Sequence, residues 1–184
     1  HEDPRRQRQM CIRDRLNHGS DIKLESNRNL KALYSPGHAK HHYSFYDEFS
    51  GTLFMGDTLG LIYPHGDFVQ PNLPPPDFDK EILFKTLDSF EKIEINQLAI
   101  AHFGIHKNAR ELIKDAKESI ENWILFIRNI ENLSNDDASN ELLKWLIRNY
   151  ESLGIDNETI KNYIGNGNFV MQVEGIRNYL RKRS

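Results

Sequence analysis

Two stretches of this chain carry side chains that could hold a divalent cation. The first, YSPGHAKHHYSFYDEFSGTLFMGDT (34–58), delivers His38 from a Ser-Pro-Gly turn, continues through His41 and His42, and closes on Gly56-Asp57. The second, LAIAHFG (98–104), puts His102 at the end of an apolar run. Neutral imidazoles and a carboxylate suit Zn²⁺, Fe²⁺ or Mn²⁺. His38, Asp57 and His102 each follow a predicted strand, so a sheet edge could gather them. A cation with an open position would hold a water and lower its pKa from about 16 to about 7, making hydroxide available at neutral pH.

The elements that must position these side chains follow from the hydropathy pattern. Asp21 to Glu25 alternates and reads as a strand, and Leu30 to Tyr34 reads as a second. Pro36 lacks a backbone donor and Gly37 permits a turn strained for other residues, which aims His38 away from the sheet. Tyr43–Tyr46 and Thr52–Met55 form a hairpin about Phe49-Ser50-Gly51. The proline-rich stretch 58–79 could wall a substrate pocket or be a plain crossover. Asp77 or Asp79 then caps a helix running to about Lys92, with Ile82, Leu83, Thr86, Leu87 and Phe90 as its buried stripe. Gln97 to Ala101 is a buried strand. Apolar residues from Ala109 to Ile130 recur at three- and four-residue steps, which predicts one amphipathic helix from about Asn108 to Leu133. Asn135-Asp136-Asp137 caps another helix ending at Leu153-Gly154, and helices over 156–163 and 169–180 complete the chain.

Ser-Pro-Gly-His before an alternating strand, then Leu-Phe-Met-Gly-Asp, then His-Phe-Gly after an apolar strand, resembles the metallo-β-lactamase-fold superfamily, and within it the glyoxalase II-like hydrolase branch. The likeness covers about residues 16–130, with the three motifs in the family's order. It implies an α/β fold: the C-terminal half of a metallo-β-lactamase αβ/βα sandwich, here followed by a helical appendage. It also implies that His38 binds one metal, Asp57 bridges two and His102 binds the second, with His42 supporting them from behind. His41 replaces the glycine common in that turn and is expected to be exposed; His65 and His106 are expected at the surface. The family's other ligand stretch, His-x-His-x-Asp-His, has no match in this chain. The expected cofactor is Zn²⁺, one or two ions in a full-length parent, with Fe²⁺ or Mn²⁺ as alternatives. The implied activity is a metal-dependent hydrolase in which metal-bound hydroxide attacks the carbonyl of a small-molecule ester, thioester, lactone or lactam. An iron-dependent oxidoreductase on the same scaffold and a non-catalytic, self-associating fragment are the alternatives.

The composition places this reading in a soluble protein. Hydrophobic residues make up 38% and charged residues 28%, and the net charge of −3 offers no pull toward nucleic acid or an acidic membrane. No apolar run reaches the length of a membrane span, and the single cysteine, Cys11, fits a reducing compartment, so a cytoplasmic location is expected. Residues 1–15, HEDPRRQRQMCIRDR, break the pattern; they resemble translated adapter sequence joined to a genuine reading frame and are expected to be non-native or disordered. The organisation is then 1–15, a partial metallo-β-lactamase-like domain over 16–133, and a helical extension over 134–184 with weak links to the motif region. Half a sandwich leaves an apolar sheet face open, so marginal stability or pairing into a homodimer is expected. Size-exclusion chromatography with light scattering should show self-association; a sharp monomer peak with a cooperative melt would refute it.

Overall fold

The computed structural model describes residues 16–24, 28–63, 68–102, 104–165 and 167–183. The expectations for 1–15 and for His65 therefore lie outside the described residues. Strands β1 (Asp21–Lys23), β2 (Asn29–Tyr34), β3 (Tyr43–Asp47), β4 (Thr52–Gly56), β5 (Gln97–Ile100) and β6 (Ile105–His106) form one six-stranded sheet in chain order. Pairing is antiparallel from β1 to β4, parallel between β4 and β5, and antiparallel between β5 and β6. Parallel pairing needs a crossover, and residues 57–96 supply it, including helix α1 (Lys80–Phe90).

Alternation divides the sheet into two faces. Leu33, Leu53, Met55, Leu98 and Ile100 are buried, in one cluster with Leu83 and Leu87 of α1 and Ile113, Ile120 and Ile124 of helix α2 (Ala109–Asn129). Fully burying one such side chain contributes about 1.5–3 kcal/mol. On the other face the register lines up Ala32, Phe45, Phe54, Ala99 and Ile105 across β2 to β6. Phe54 is 43% exposed and Ile105 61% exposed, so the β4–β6 end of this row meets solvent, whereas Ala32 at its other end is fully buried.

Several local expectations need correction. Ile82 is 43% exposed and does not belong to the buried stripe of α1, because the helix turns it away from Leu83, Thr86, Leu87 and Phe90. The cap of α1 is Asp79, whose carboxylate accepts the Ile82 N–H at 3.1 Å. Helix α3 (Asn135–Ser152) is capped by Ser134, one residue ahead of the Asn135-Asp136-Asp137 stretch, through the Asp137 N–H at 3.1 Å. Strand β6 has no counterpart in the hydropathy pattern, since two residues are too short to show a period. Its return on β5 is made by Gly104, whose φ of 103° belongs to the left-handed region.

The helices α3, α4 (Asn157–Gly165) and α5 (Phe169–Arg181) are not weakly linked to the sheet region. One continuous apolar cluster runs from Leu33 and Leu53 through Trp123 to Leu146, Phe169, Val173 and Ile176. Much of the joint is the proline-rich stretch: Leu59, Ile62, Val69, Leu73 and Phe78 are all buried, and a bridge between Leu61 and Gln70 closes its loop. Among the described residues, no helix is long and apolar enough to cross a membrane.

At the far end of the sheet, Asp47 is 1% exposed and accepts hydrogen bonds from the Ser50 hydroxyl at 2.7 Å, the Phe49 N–H at 3.2 Å and the Arg28 guanidinium. The Ser50 bond first, then Arg28 and the Phe49 N–H, hold its carboxyl below the usual carboxylate value of 3.8 against the opposing effect of burial. A depressed native pKa means that the unfolded chain binds the proton first as pH falls. The contribution is thus fully present above about pH 5 and lost as pH drops through the native pKa. Asp47→Asn should cost about 1–3 kcal/mol at pH 7, and the gap between the urea midpoints of the two proteins should close as the pH is lowered below about 4. An equal gap at pH 7 and pH 3 would contradict this account.

Candidate metal centre

The turn carrying His38 is fitted against the start of α1. Gly37 has φ 125°, and a Cβ there would lie 2.3 Å from the Leu83 Cα, so only glycine allows the approach. Its carbonyl accepts the Asp79 N–H at 2.9 Å, and the Pro36 carbonyl accepts the Thr86 hydroxyl at 2.7 Å. The His38 side chain that follows is buried, with Nδ1 2.9 Å from the Asn72 carbonyl oxygen. A carbonyl only accepts, so Nδ1 carries the proton and the Nε2 lone pair is left for another partner. That Nε2 stands 4.0 Å from Asp57 Oδ2.

Asp57 and His102 leave the sheet together. Gly56 pairs with Ile100 at the carboxyl ends of β4 and β5, and the Ala101 N–H donates to the Gly56 carbonyl at 3.1 Å. His102 Nε2 then lies 3.4 Å from Asp57 Oδ1. Asp57 Oδ1 is buried and has no hydrogen-bond donor among the described residues. The His102 side chain is 51% exposed and the Asp57 side chain 34% exposed, so the centre opens to one side.

His42 organises this arrangement from behind. Its Nε2 accepts the Asp57 backbone N–H at 3.3 Å, and its Nδ1 faces the hydroxyls of Ser35 at 2.8 Å and Thr58 at 3.0 Å. Ser44 in turn donates to the Ser35 hydroxyl at 2.9 Å. Burial first, then the neighbouring His38, push the His42 imidazole down to about 4. A neutral ring accepting at Nε2 and donating at Nδ1 agrees with that direction. His42 therefore touches the backbone that aims Asp57 and presents no lone pair to a cation.

The structure thus brings together His38, Asp57, His102 and His42. His41 is exposed, as expected. His106 sits on β6 with Nε2 buried and without a hydrogen-bond partner among the described residues, so it is not simply a surface residue, and it takes no part in this centre. Asn72, Ser35 and Thr58 are not singled out by the sequence reading. Ser35 is the first residue of the Ser-Pro-Gly-His motif and Thr58 follows Gly-Asp directly, so both are within reach of a closer reading, whereas a backbone carbonyl at Asn72 leaves no trace in residue type. The proline-rich stretch, which could have been a pocket wall or a plain crossover, serves here as the support of His38.

Among the described residues, no group of three or more His, Cys, Asp or Glu could hold one ion. The donors divide instead about Asp57: one carboxylate oxygen faces His38 and the other faces His102. Each imidazole could share a cation with the Asp57 oxygen it faces, so this chain offers two donors at each position. The larger hollows lie elsewhere, one of about 490 Å³ between Phe68, Trp123 and Trp145 and another of about 620 Å³ beside His106 and Lys114.

No family model matches the chain, and no curated protein matches it in sequence. Its structure is similar to that of a metallo-β-lactamase family protein from Thermus thermophilus, at 17% identity and a TM-score of 0.62, over 91% of this chain and 48% of that one. An archaeal metallo-β-lactamase superfamily protein from Sulfolobus tokodaii matches at 24% identity and a TM-score of 0.47, over 56% and 37% of the two chains. A β-lactamase domain protein from Burkholderia ambifaria matches at 18% identity and a TM-score of 0.48, over 63% and 36%. The likeness to the Thermus protein is one of fold: the α/β architecture is that of the metallo-β-lactamase fold, and the chain spans about half the length of that structure.

A Cβ on Gly56 would lie 2.6 Å from His42 Nε2, at a φ of 55°. Gly56→Ala should therefore cost about 1–3 kcal/mol, from the left-handed backbone and from the displaced ring. In a His42→Ala background only the backbone strain remains, so the same substitution should cost less. Urea denaturation of the two singles and the double reads the coupling; equal costs in both backgrounds would remove His42 from its place behind Asp57.

Proposed function

We propose that this chain, with its metallo-β-lactamase fold, contributes His38, Asp57 and His102 to the cation site of a metal-dependent hydrolase. The observation that carries the reading is the split environment of Asp57: its two carboxylate oxygens face different imidazole nitrogens, and the buried one lacks a hydrogen-bond donor among the described residues. A buried carboxylate oxygen without a hydrogen-bond donor is costly unless a positive partner is supplied, and two imidazoles with a carboxylate are a donor set for zinc, iron or manganese.

A divalent cation held here supplies Lewis acidity toward a carbonyl oxygen and acidifies a bound water at neutral pH. The chain's own residues do the positioning. The Asn72 carbonyl fixes the His38 tautomer so that Nε2 faces Asp57. Neutral His42 holds the Asp57 N–H, and through it the direction of the carboxylate. His102, half exposed, stands on the open side where a substrate would enter. Two donors per cation are half of the roughly four that a closed zinc site uses, so zinc binding by this chain alone is expected to be weak. The substrate class that fits is a small molecule with an ester, thioester, lactone or lactam carbonyl, the full activity requiring further donors beyond these residues.

Elemental analysis and a zinc titration of the purified chain test the reading. Zinc should bind, a chelator should remove it, and Asp57→Ala should lower the affinity by more than the roughly 10–100-fold typical of losing an outer-shell partner. His41→Ala, at an exposed position, should leave binding unchanged. Iron in place of zinc, with an oxygen-dependent reaction, would move the assignment to an oxidoreductase on the same fold. Zinc binding that survives Asp57→Ala would overturn it.

A further inference from the structure

We infer that Gln172, on the last helix, is a positioning residue for His38, which makes the helical segment a working part of the candidate metal centre. The inference rests on the reading of His38 as a ligand only where it concerns metal affinity.

The geometry turns on one peptide group. The peptide between Asn72 and Leu73 presents its carbonyl to His38 Nδ1 at 2.9 Å and its N–H to Gln172 Oε1 at 2.5 Å. His38 and Gln172 thus grip the same amide from opposite ends. Gln172 Nε2 donates to the Asn72 side-chain oxygen at 3.2 Å, which fixes the orientation of Asn72 as well. Gln172 is 7% exposed, Leu73 is fully buried, and a Cβ on Gly175, one turn further along α5, would lie 1.7 Å from the Leu73 carbonyl oxygen. The helix backbone is therefore seated directly on this stretch. Further along, Lys182 donates to the Pro76 carbonyl at 2.7 Å and Tyr179 to Glu81 at 2.7 Å.

Two physical consequences follow. A peptide plane held at its N–H cannot rotate its carbonyl away from His38, so the imidazole tautomer and ring angle are fixed from α5. Hydrogen bonding at the N–H also polarises the amide and strengthens the carbonyl as an acceptor. A stronger acceptor at Nδ1–H holds the ring more firmly with Nε2, the other nitrogen, facing Asp57. A glutamine merely satisfying the core would need neither its opposition to His38 across one amide nor its second bond to Asn72.

The test uses the full metal-free chain labelled with ¹⁵N at pH 8, where long-range proton–nitrogen correlations report the His38 tautomer and the solvent exchange of its Nδ1–H. Zinc alone is then titrated. Gln172→Met keeps the volume and removes both hydrogen bonds. Gln172→Glu keeps the acceptor for the Leu73 N–H, and rotation of the Asn72 amide can restore the second contact. Val173→Ala removes buried volume from the same helix and none of these bonds, so it controls for stability. Gln172→Met should speed exchange of the His38 Nδ1–H about tenfold and weaken zinc binding by about tenfold. Gln172→Glu should restore most of the slow exchange, and Val173→Ala should change neither reading even where its melting temperature falls as far. Unchanged His38 exchange in Gln172→Met, or an equal change in Val173→Ala, overturns the inference. If the wild-type chain takes up no zinc, the metal reading fails alone, because the exchange comparison still decides whether Gln172 positions His38.

Discussion

Parallel pairing of β4 with β5 is the constraint on which this structure depends. Two parallel strands end on the same side of a sheet, so the residues that leave them emerge as neighbours. Gly56 and Ile100 are partners in the ladder, and Asp57 and His102 follow them out on the same edge. An antiparallel pairing would put these side chains at opposite ends of the sheet. The requirement for a crossover then explains the rest of the connection. Residues 57–96 must leave the edge, pass over the helical side and return, and on the way they supply Asn72, the support of His38.

Around that edge the polar groups are arranged so that the imidazoles are fixed in direction. His42 is held by the Ser35 and Thr58 hydroxyls on one nitrogen and by a backbone N–H on the other. His38 is held by a backbone carbonyl. The two rings meet edge to face, 5.8 Å between centroids, so each limits the rotation of the other. The strict glycines serve the same end. Gly37 lets the turn approach α1, and Gly56 lets the His42 ring lie against the chain just before Asp57.

The two faces of the sheet have different fates. One is sealed by α1 and α2 and by a core that reaches α3 and α5, while the other carries Phe54 and Ile105 into solvent. Ala99 pairs with the exposed Phe54 on one side and the exposed Ile105 on the other, so the three form a continuous stripe rather than scattered contacts. The sealed face accounts for a single folded unit. The open one marks where further polypeptide would be needed to make a closed sandwich.

Much of the candidate site was legible in residue type and order. The Ser-Pro-Gly-His turn, the hairpin and the Gly-Asp and His-Phe-Gly ends are local features, set by backbone preferences within a few residues, and they pointed to His38, Asp57 and His102. The long apolar stripe of α2 was equally local, with Ala109, Leu112, Ile113, Ala116, Ile120, Trp123, Ile124 and Ile127 all buried. What only the tertiary structure decided are contacts without a period: the carbonyl of Asn72 against His38, the grip of Gln172 on that peptide from 100 residues away, and the union of 134–184 with the sheet through one core. A hydrogen bond from a buried glutamine to a distant backbone needs no particular neighbour in the sequence, and a backbone carbonyl is the same in every residue. The sequence by itself determined which side chains could meet a cation. Only the packing of α5 on the proline-rich stretch decided how one of them is held.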